Sequence, residues 1–235
     1  MIIGNWKMNP IDPSDVEKYF KTFKTKNNKV GFSVPAIYLK EVCAMTSFPV
    51  FAQNIYFEDN GPYTGELSSI MVKSVGAKGS LVGHHERRKY FAETDEDCFK
   101  KVQALLKHDL TAVICIGESL QEKQDKRVFE SIEKQLSKIL TLPKESLSKH
   151  LVIAYEPVWA IGTGHSATTQ EIEDVHTCIR SLCKDFTNIP IIYGGSVTSQ
   201  NSAEILKSKN VNGVLVGKAS LDPTEFEKIC DSQAS

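Results

Sequence analysis

Eight short, nearly continuous apolar runs punctuate this chain, and longer stretches with 3.6-residue apolar periodicity separate them. The runs are MIIGNW (1–6), KVGFSV (29–34), PVFAQN (49–54), GSLVG (79–83), TAVICIG (111–117), LVIAYE (151–156), PIIYG (190–194) and NGVLVG (212–217). Runs of this length without polar alternation mark strands covered on both faces, as in a parallel sheet. Between them, RVFESIEKQLSKIL (127–140) places apolar residues at 128, 129, 132, 136, 139 and 140, the stripe of a helix lying on a sheet. Asp12-Pro13 and Asp222-Pro223 each offer an N-cap followed by proline at the first helical position. Thr94 with Asp97, and Thr168 with Glu171, have the spacing of capping boxes. Strict alternation of β and α units predicts a parallel sheet, and eight units in 235 residues suit a closed (β/α)8 barrel, one domain over 1–235. No GxGxxG follows the first strand, which weakens a dinucleotide-binding reading.

Composition narrows the classes of partner. The chain is 41% hydrophobic and 24% charged, and its 28 basic residues against 29 acidic ones leave a formal charge of −1. Such a balance offers no general attraction to nucleic acid or to an anionic membrane. No stretch approaches the ~18 apolar residues of a membrane span. The start, MIIGNWKMN, lacks the apolar core of a signal peptide. Cysteines at 43, 98, 115, 178, 183 and 230 form no CxxC and no metal-ligand spacing, the pattern of reduced thiols. A soluble cytoplasmic protein is expected.

In a barrel of this kind the chemistry belongs at the C-terminal ends of the strands. The first strand ends in Asn5 and Lys7, with Trp6 between them pointing elsewhere by the period-2 rule. The fourth ends in GHHERR, residues 83–88, and the sixth in Glu156, which Pro157 confines to extended backbone. GGS (194–196) and VGKAS (216–220) are glycine turns whose backbone N–H groups can cradle a phosphate. Each feature alone has a plainer explanation: a solvated lysine, a structural histidine, a salt-bridged glutamate, an ordinary turn. Together they match an acid/base site that holds a phosphorylated small molecule.

GNWKMN, GHxERR, CIGE, AYEPVWAIGTG, YGGSV and VGKASL, in this order and over nearly the whole length, resemble the triosephosphate isomerase family. The resemblance implies the TIM barrel fold and interconversion of dihydroxyacetone phosphate and glyceraldehyde 3-phosphate in a glycolytic homodimer, without metal or cofactor. It implies Glu156 as base, His84 as a neutral electrophile, and Lys7 and Asn5 as further substrate contacts. Glu86 is expected to pair with Lys7, an outer pair with Arg87 or Arg88 being the other possibility. Phosphate is expected at the N–H groups of Gly162, Ser196, Gly217 and Lys218. A lid over Val158 to about Ala167 is expected to close so that Ile161 and Leu215 press on Glu156. The loop AQNIYFEDNGPYTGE (52–66) is expected to enter a partner subunit, with Gln53 and Thr64 at the contact, a surface hairpin being the plainer reading.

Two positions depart from the family's pattern. His85 stands where a serine is usual, and Lys218 replaces a phosphate-site glycine while keeping its backbone N–H. These raise a second reading, a catalytically weakened relative that acts as a binding protein; a third is another phosphate-binding barrel enzyme. Intact Asn5, Lys7, His84 and Glu156 weigh against the second, and the lid and electrophile frame against the third.

Overall fold

The computed structural model describes residues 1–161, 166–186 and 188–232. Eight parallel strands close into a barrel in chain order: β1 (Ile2–Asn5), β2 (Val30–Val34), β3 (Val50–Ala52), β4 (Gly79–Val82), β5 (Thr111–Ile116), β6 (Leu151–Tyr155), β7 (Ile191–Tyr193) and β8 (Gly213–Val216). Closure comes from β8 beside β1, with Ile3 opposite Leu215. All eight expected strands are present, each trimmed where the backbone leaves the ladder. The longest trim is at β3, expected to reach 54, because Gln53 turns away to bond the first strand's end.

Two apolar layers explain why the runs look continuous in sequence. Ile3, Phe51, Leu81, Val113, Cys115, Val152, Ala154, Ile192 and Leu215 fill the barrel. Their strand neighbours, among them Ile2, Phe32, Ile114, Ile153, Tyr193 and Val216, face outward beneath the helices. Each fully buried side chain of this size contributes roughly 1.5–3 kcal/mol. Trp6 does point outward: it is buried against Tyr19, Phe20 and Phe32, with ring centroids 4.9–6.1 Å away. Aromatic contacts of this kind add about 0.5–1.5 kcal/mol per pair beyond area burial.

Helix starts follow the capping chemistry in the sequence. Thr94 and Thr168 close reciprocal capping boxes with Asp97 and Glu171. The Asp222 carboxylate accepts from the N–H groups of Thr224 and Glu225, and Asp12 accepts from Ser14. The stretch expected as one helix over 127–140 is a helix at Val128–Ser137 followed by a 3-10 turn at Ile139–Thr141. Ile132, Leu136 and Ile139 are its buried stripe, whereas Phe129 is half exposed. Among the described residues no helix is long and apolar enough to cross a membrane.

His176, on the helix Thr169–Leu182, is fully buried between that helix and the sheet. Its Nδ1 faces the Asn210 carbonyl at 3.1 Å, and burial lowers its pKa from 6.5 to about 4. The depressed value means that only the unfolded chain takes up this proton between those limits. Stability from this group is therefore complete above pH 6.5 and is lost as pH falls toward 4, on the order of 3 kcal/mol. Chemical denaturation at pH 7 and pH 4.5 is expected to give a smaller difference for His176→Gln than for wild type.

Candidate active site

The barrel's own alternation aims most of the site. Ile3 faces inward, so Asn5 does; Val152 and Ala154 face inward, so Glu156 does; Leu215 faces inward, so Gly217 does. His84 is the exception, because two residues past Leu81 the count reaches Gly83, not His84. Gly83 adopts φ +68°, which redirects the chain and turns His84 into the mouth. A clamp holds that turn: Glu93 accepts the Gly83 N–H at 2.9 Å, and the Arg88 guanidinium donates to the Gly83 carbonyl at 2.8 Å. Arg87 and Lys101 in turn hold the buried Glu93 carboxylate at 2.6 and 3.1 Å. Burial alone would raise the Glu93 pKa, but these two cations and the Gly83 N–H bring it below the ordinary value. The two arginines are thus committed to the turn, and Glu86 pairs instead with Lys7, Nζ to Oε1 2.6 Å.

His84 caps the helix His85–Phe91, and its Nδ1 accepts the Glu86 N–H at 3.3 Å. An accepting Nδ1 places the ring proton on Nε2, which lies 3.2 Å from Glu156 Oε1. Burial lowers the pKa of His84 against the pull of the Glu156 charge, so the imidazole is neutral at physiological pH.

Glu156 is 2% exposed. Its Oε2 accepts the His85 backbone N–H at 3.0 Å and faces His85 Nδ1 at 3.3 Å. Desolvation raises the pKa of this carboxyl, but the two histidines and the His85 N–H outweigh it and the net direction is down. In this position the group is an ionised but weakened base. His85→Ser keeps the backbone donor and removes the ring. The acid limb of the pH–kcat/KM profile is expected to move to higher pH in that variant; superimposable curves would contradict the assignment of His85 as the parking partner.

Lys7 has φ +52°, an unusual conformation for a lysine that costs about 1–2 kcal/mol. Neighbours over-determine it: the Lys7 N–H donates to Asn5 Oδ1 at 3.0 Å, and Gln53 Nε2 donates to the Lys7 carbonyl at 2.8 Å. Gln53 also reaches Asn5 Oδ1 and the Ser33 carbonyl of its own chain, a positioning role the sequence did not reveal. Thr64 is exposed on its loop.

Asn5, Lys7, His84, His85, Glu156, Ile161, Ser196, Leu215, Gly217 and Lys218 line one cavity of about 650 Å³. Gly162 and the rest of 162–165, part of the expected lid, lie outside the described residues. Gly195 is required where it stands, since a Cβ would come 2.2 Å from the Tyr193 hydroxyl. A depression of similar size, about 660 Å³, opens at the opposite end beside Met1, Lys29 and Arg180. Among the described residues that line it there is no histidine and no carboxylate, so the chemistry belongs to the first. On the 3-10 turn Val158–Ala160, Trp159 Nε1 donates to the buried Glu118 at 2.6 Å, and the Tyr155 hydroxyl meets the same oxygen at 3.1 Å. This network also escaped the sequence reading, which used CIGE only as a motif.

Residues 1–233 match the family model described as "Triosephosphate isomerase". The chain belongs to the triosephosphate isomerase family. Proteins named triosephosphate isomerase from Francisella philomiragia and Francisella tularensis subsp. tularensis are 43% and 42% identical, over 97% of this chain and 95% of their own lengths. One from Alkaliphilus oremlandii is 39% identical over 96% of both chains. In this triosephosphate isomerase family member His85 sits directly against the buried glutamate, Nδ1 to Oε2 3.3 Å.

Proposed function

We propose that the chain interconverts dihydroxyacetone phosphate and D-glyceraldehyde 3-phosphate through an enediolate, with Glu156 as the base. The observation that carries this reading is the 3.2 Å separation of His84 Nε2 and Glu156 Oε1 in the cavity that also contains the glycine cradle. Glu156 removes a proton from the carbon beside the carbonyl, and His84 Nε2–H donates to the oxygen on which charge develops. A neutral donor suits an enediolate oxygen, since it stabilises charge without handing over a full proton. Lys7, held by Glu86, adds fixed positive charge, and Asn5 a polar contact.

The phosphate is bound by backbone N–H groups at Ser196, Gly217, Lys218 and Gly162, with the Ser196 hydroxyl. Gly217 is suited to close approach, its Cα lying where a Cβ would come 3.3 Å from Lys7 Cε. Glu156 has to leave the His85 donors to reach substrate, and that loss raises its basicity. Ile161 and Leu215 then surround it with apolar surface, which raises it further. The same lid movement that excludes water therefore strengthens the base. The reaction moves protons between neighbouring atoms and draws on no cofactor.

A homodimer fits the surface beside this site. Met8, Ile11 and Ile37 are 91%, 95% and 78% exposed. Met8 and Phe91 line a cleft next to Lys7 and Glu86 that a partner's loop 52–66, led by Thr64, would enter. Sedimentation at micromolar concentration is expected to give twice the monomer mass. Six free thiols agree with a reducing cytoplasmic setting. A coupled assay with glyceraldehyde 3-phosphate tests the function; no turnover by the folded protein would reject it.

A further inference from the structure

The parked state of Glu156 brings a second kind of chemistry together. One donor atom each from His84, His85 and Glu156 lies within 4.8 Å of the other two. His84 Nε2 is 3.2 Å from Glu156 Oε1, and His85 Nδ1 is 3.3 Å from Oε2. A tetrahedral site with metal–ligand bonds of about 2.0–2.1 Å has edges of about 3.3–3.4 Å; either nitrogen–oxygen separation matches one such edge, and since the two run to different carboxylate oxygens, the second imidazole has to move closer to the oxygen that the ion takes. The two imidazoles sit with centroids 4.3 Å apart and tilted by 42°, which leaves a modest ring rotation to complete the set.

We propose that His84, His85 and Glu156 form a binding site for a borderline first-row divalent cation of the zinc type, which holds the glutamate in its parked position and excludes substrate. Two imidazoles and one carboxylate are the donor set such ions favour over magnesium or calcium. The remaining coordination position opens into the cavity, which supplies both the entry path and a water ligand.

Support behind the ligands is also present. A metal-bound imidazole carries its proton on the other nitrogen and needs an acceptor there. Glu86 stands behind both rings, its Oε2 3.6 Å from His84 Nδ1 and its Oε1 4.0 Å from His85 Nε2. Closing either gap to hydrogen-bond length takes about 0.5–1 Å. On metal binding the His84 proton moves from Nε2 to Nδ1 and the His85 proton from Nδ1 to Nε2, so each ring stays neutral. The cost is the long 3.3 Å bond from the Glu86 N–H to His84 Nδ1, which is given up. Glu156 keeps the His85 backbone N–H on its carboxylate, fixing its orientation toward the ion.

Isothermal titration of the full chain with Zn²⁺, repeated with Co²⁺ and its visible absorption as a reporter of geometry, tests the proposal. One equivalent is expected to bind, with the intense Co²⁺ bands of a low-symmetry four- or five-coordinate site. His85→Ser and Glu156→Gln each remove a ligand, and each is expected to weaken binding by at least ~10-fold; Glu86→Gln is expected to weaken it by about 10–100-fold. Circular dichroism of each variant verifies folding, and saturating glycerol 3-phosphate is expected to compete with the ion. Unaltered affinity in both ligand variants, or no saturable binding by the wild type, would overturn the proposal. The titration reads no turnover, so its failure and a failure of the isomerase reading are separate results.

Discussion

Glu156→Gln is expected to lower kcat by about 10²–10⁴-fold while KM changes little, because it removes the proton acceptor and preserves shape. The substitution suits the local chemistry. His85 N–H donates to Oε2 at 3.0 Å, and an amide oxygen can accept the same bond; the amide NH2 then faces the His84 Nε2–H across the 3.2 Å contact, two donors, so that contact loosens while the His85 anchor holds. Loss of the charge also removes the attraction that favours the imidazolium of His84, so the electrophile stays neutral. The fall in kcat therefore isolates the base. Steady-state kinetics at saturating substrate measures it, with thermal unfolding as the control for folding.

Gly117→Ala is expected to destabilise the protein by about 3 kcal/mol or more, a fall in Tm of roughly 6–12 °C, and to impair activity as well. The reason is steric. A Cβ on Gly117 would lie 1.7 Å from the backbone carbonyl oxygen of Glu156. No rotamer relieves a clash between backbone atoms, so the ends of β5 and β6 must separate. Glu156 is anchored at that place, its N–H donating to the Ile116 carbonyl at 2.7 Å. Gln135 bonds both the N–H and the carbonyl of Gly117, which resists the shift. Gly65→Ala supplies a contrast: φ is +92° but nothing lies within 4 Å of the added methyl, so only backbone strain of roughly 1–2 kcal/mol is expected. Thermal melts of the two variants in parallel separate steric exclusion from strain.

Much of this architecture is legible in the sequence because burial on both faces forces apolar runs, and eight such runs in 235 residues leave few alternatives to a closed barrel. Helix starts are equally legible, since Thr94, Thr168 and Asp222 cap with their own side chains. Residues aimed by strand alternation, Asn5, Glu156 and Leu215, could be assigned to the mouth from local pattern alone. His84 could not. Its direction depends on the positive φ of Gly83, and that turn is held by Glu93, ten residues on in the chain, and by Arg88.

Long-range contacts account for the other omissions. Gln53 fixes Lys7 and Asn5 across the barrel mouth, and Trp159 meets Glu118 from the neighbouring strand's end. A one-dimensional pattern records residue types but not such meetings. The helix expected to run to 140 breaks after Ser137, and Phe129 faces solvent, because the stripe that matters is set by the sheet beneath it.

Isomerisation in deuterated water tests the central claim most directly. Starting from dihydroxyacetone phosphate, the wild type is expected to place solvent deuterium at C2 of the aldehyde product on one face only, and Glu156→Gln to lose that exchange in parallel with kcat. Exchange at the wild-type rate in the folded variant would contradict the account, since another group would then be removing the proton.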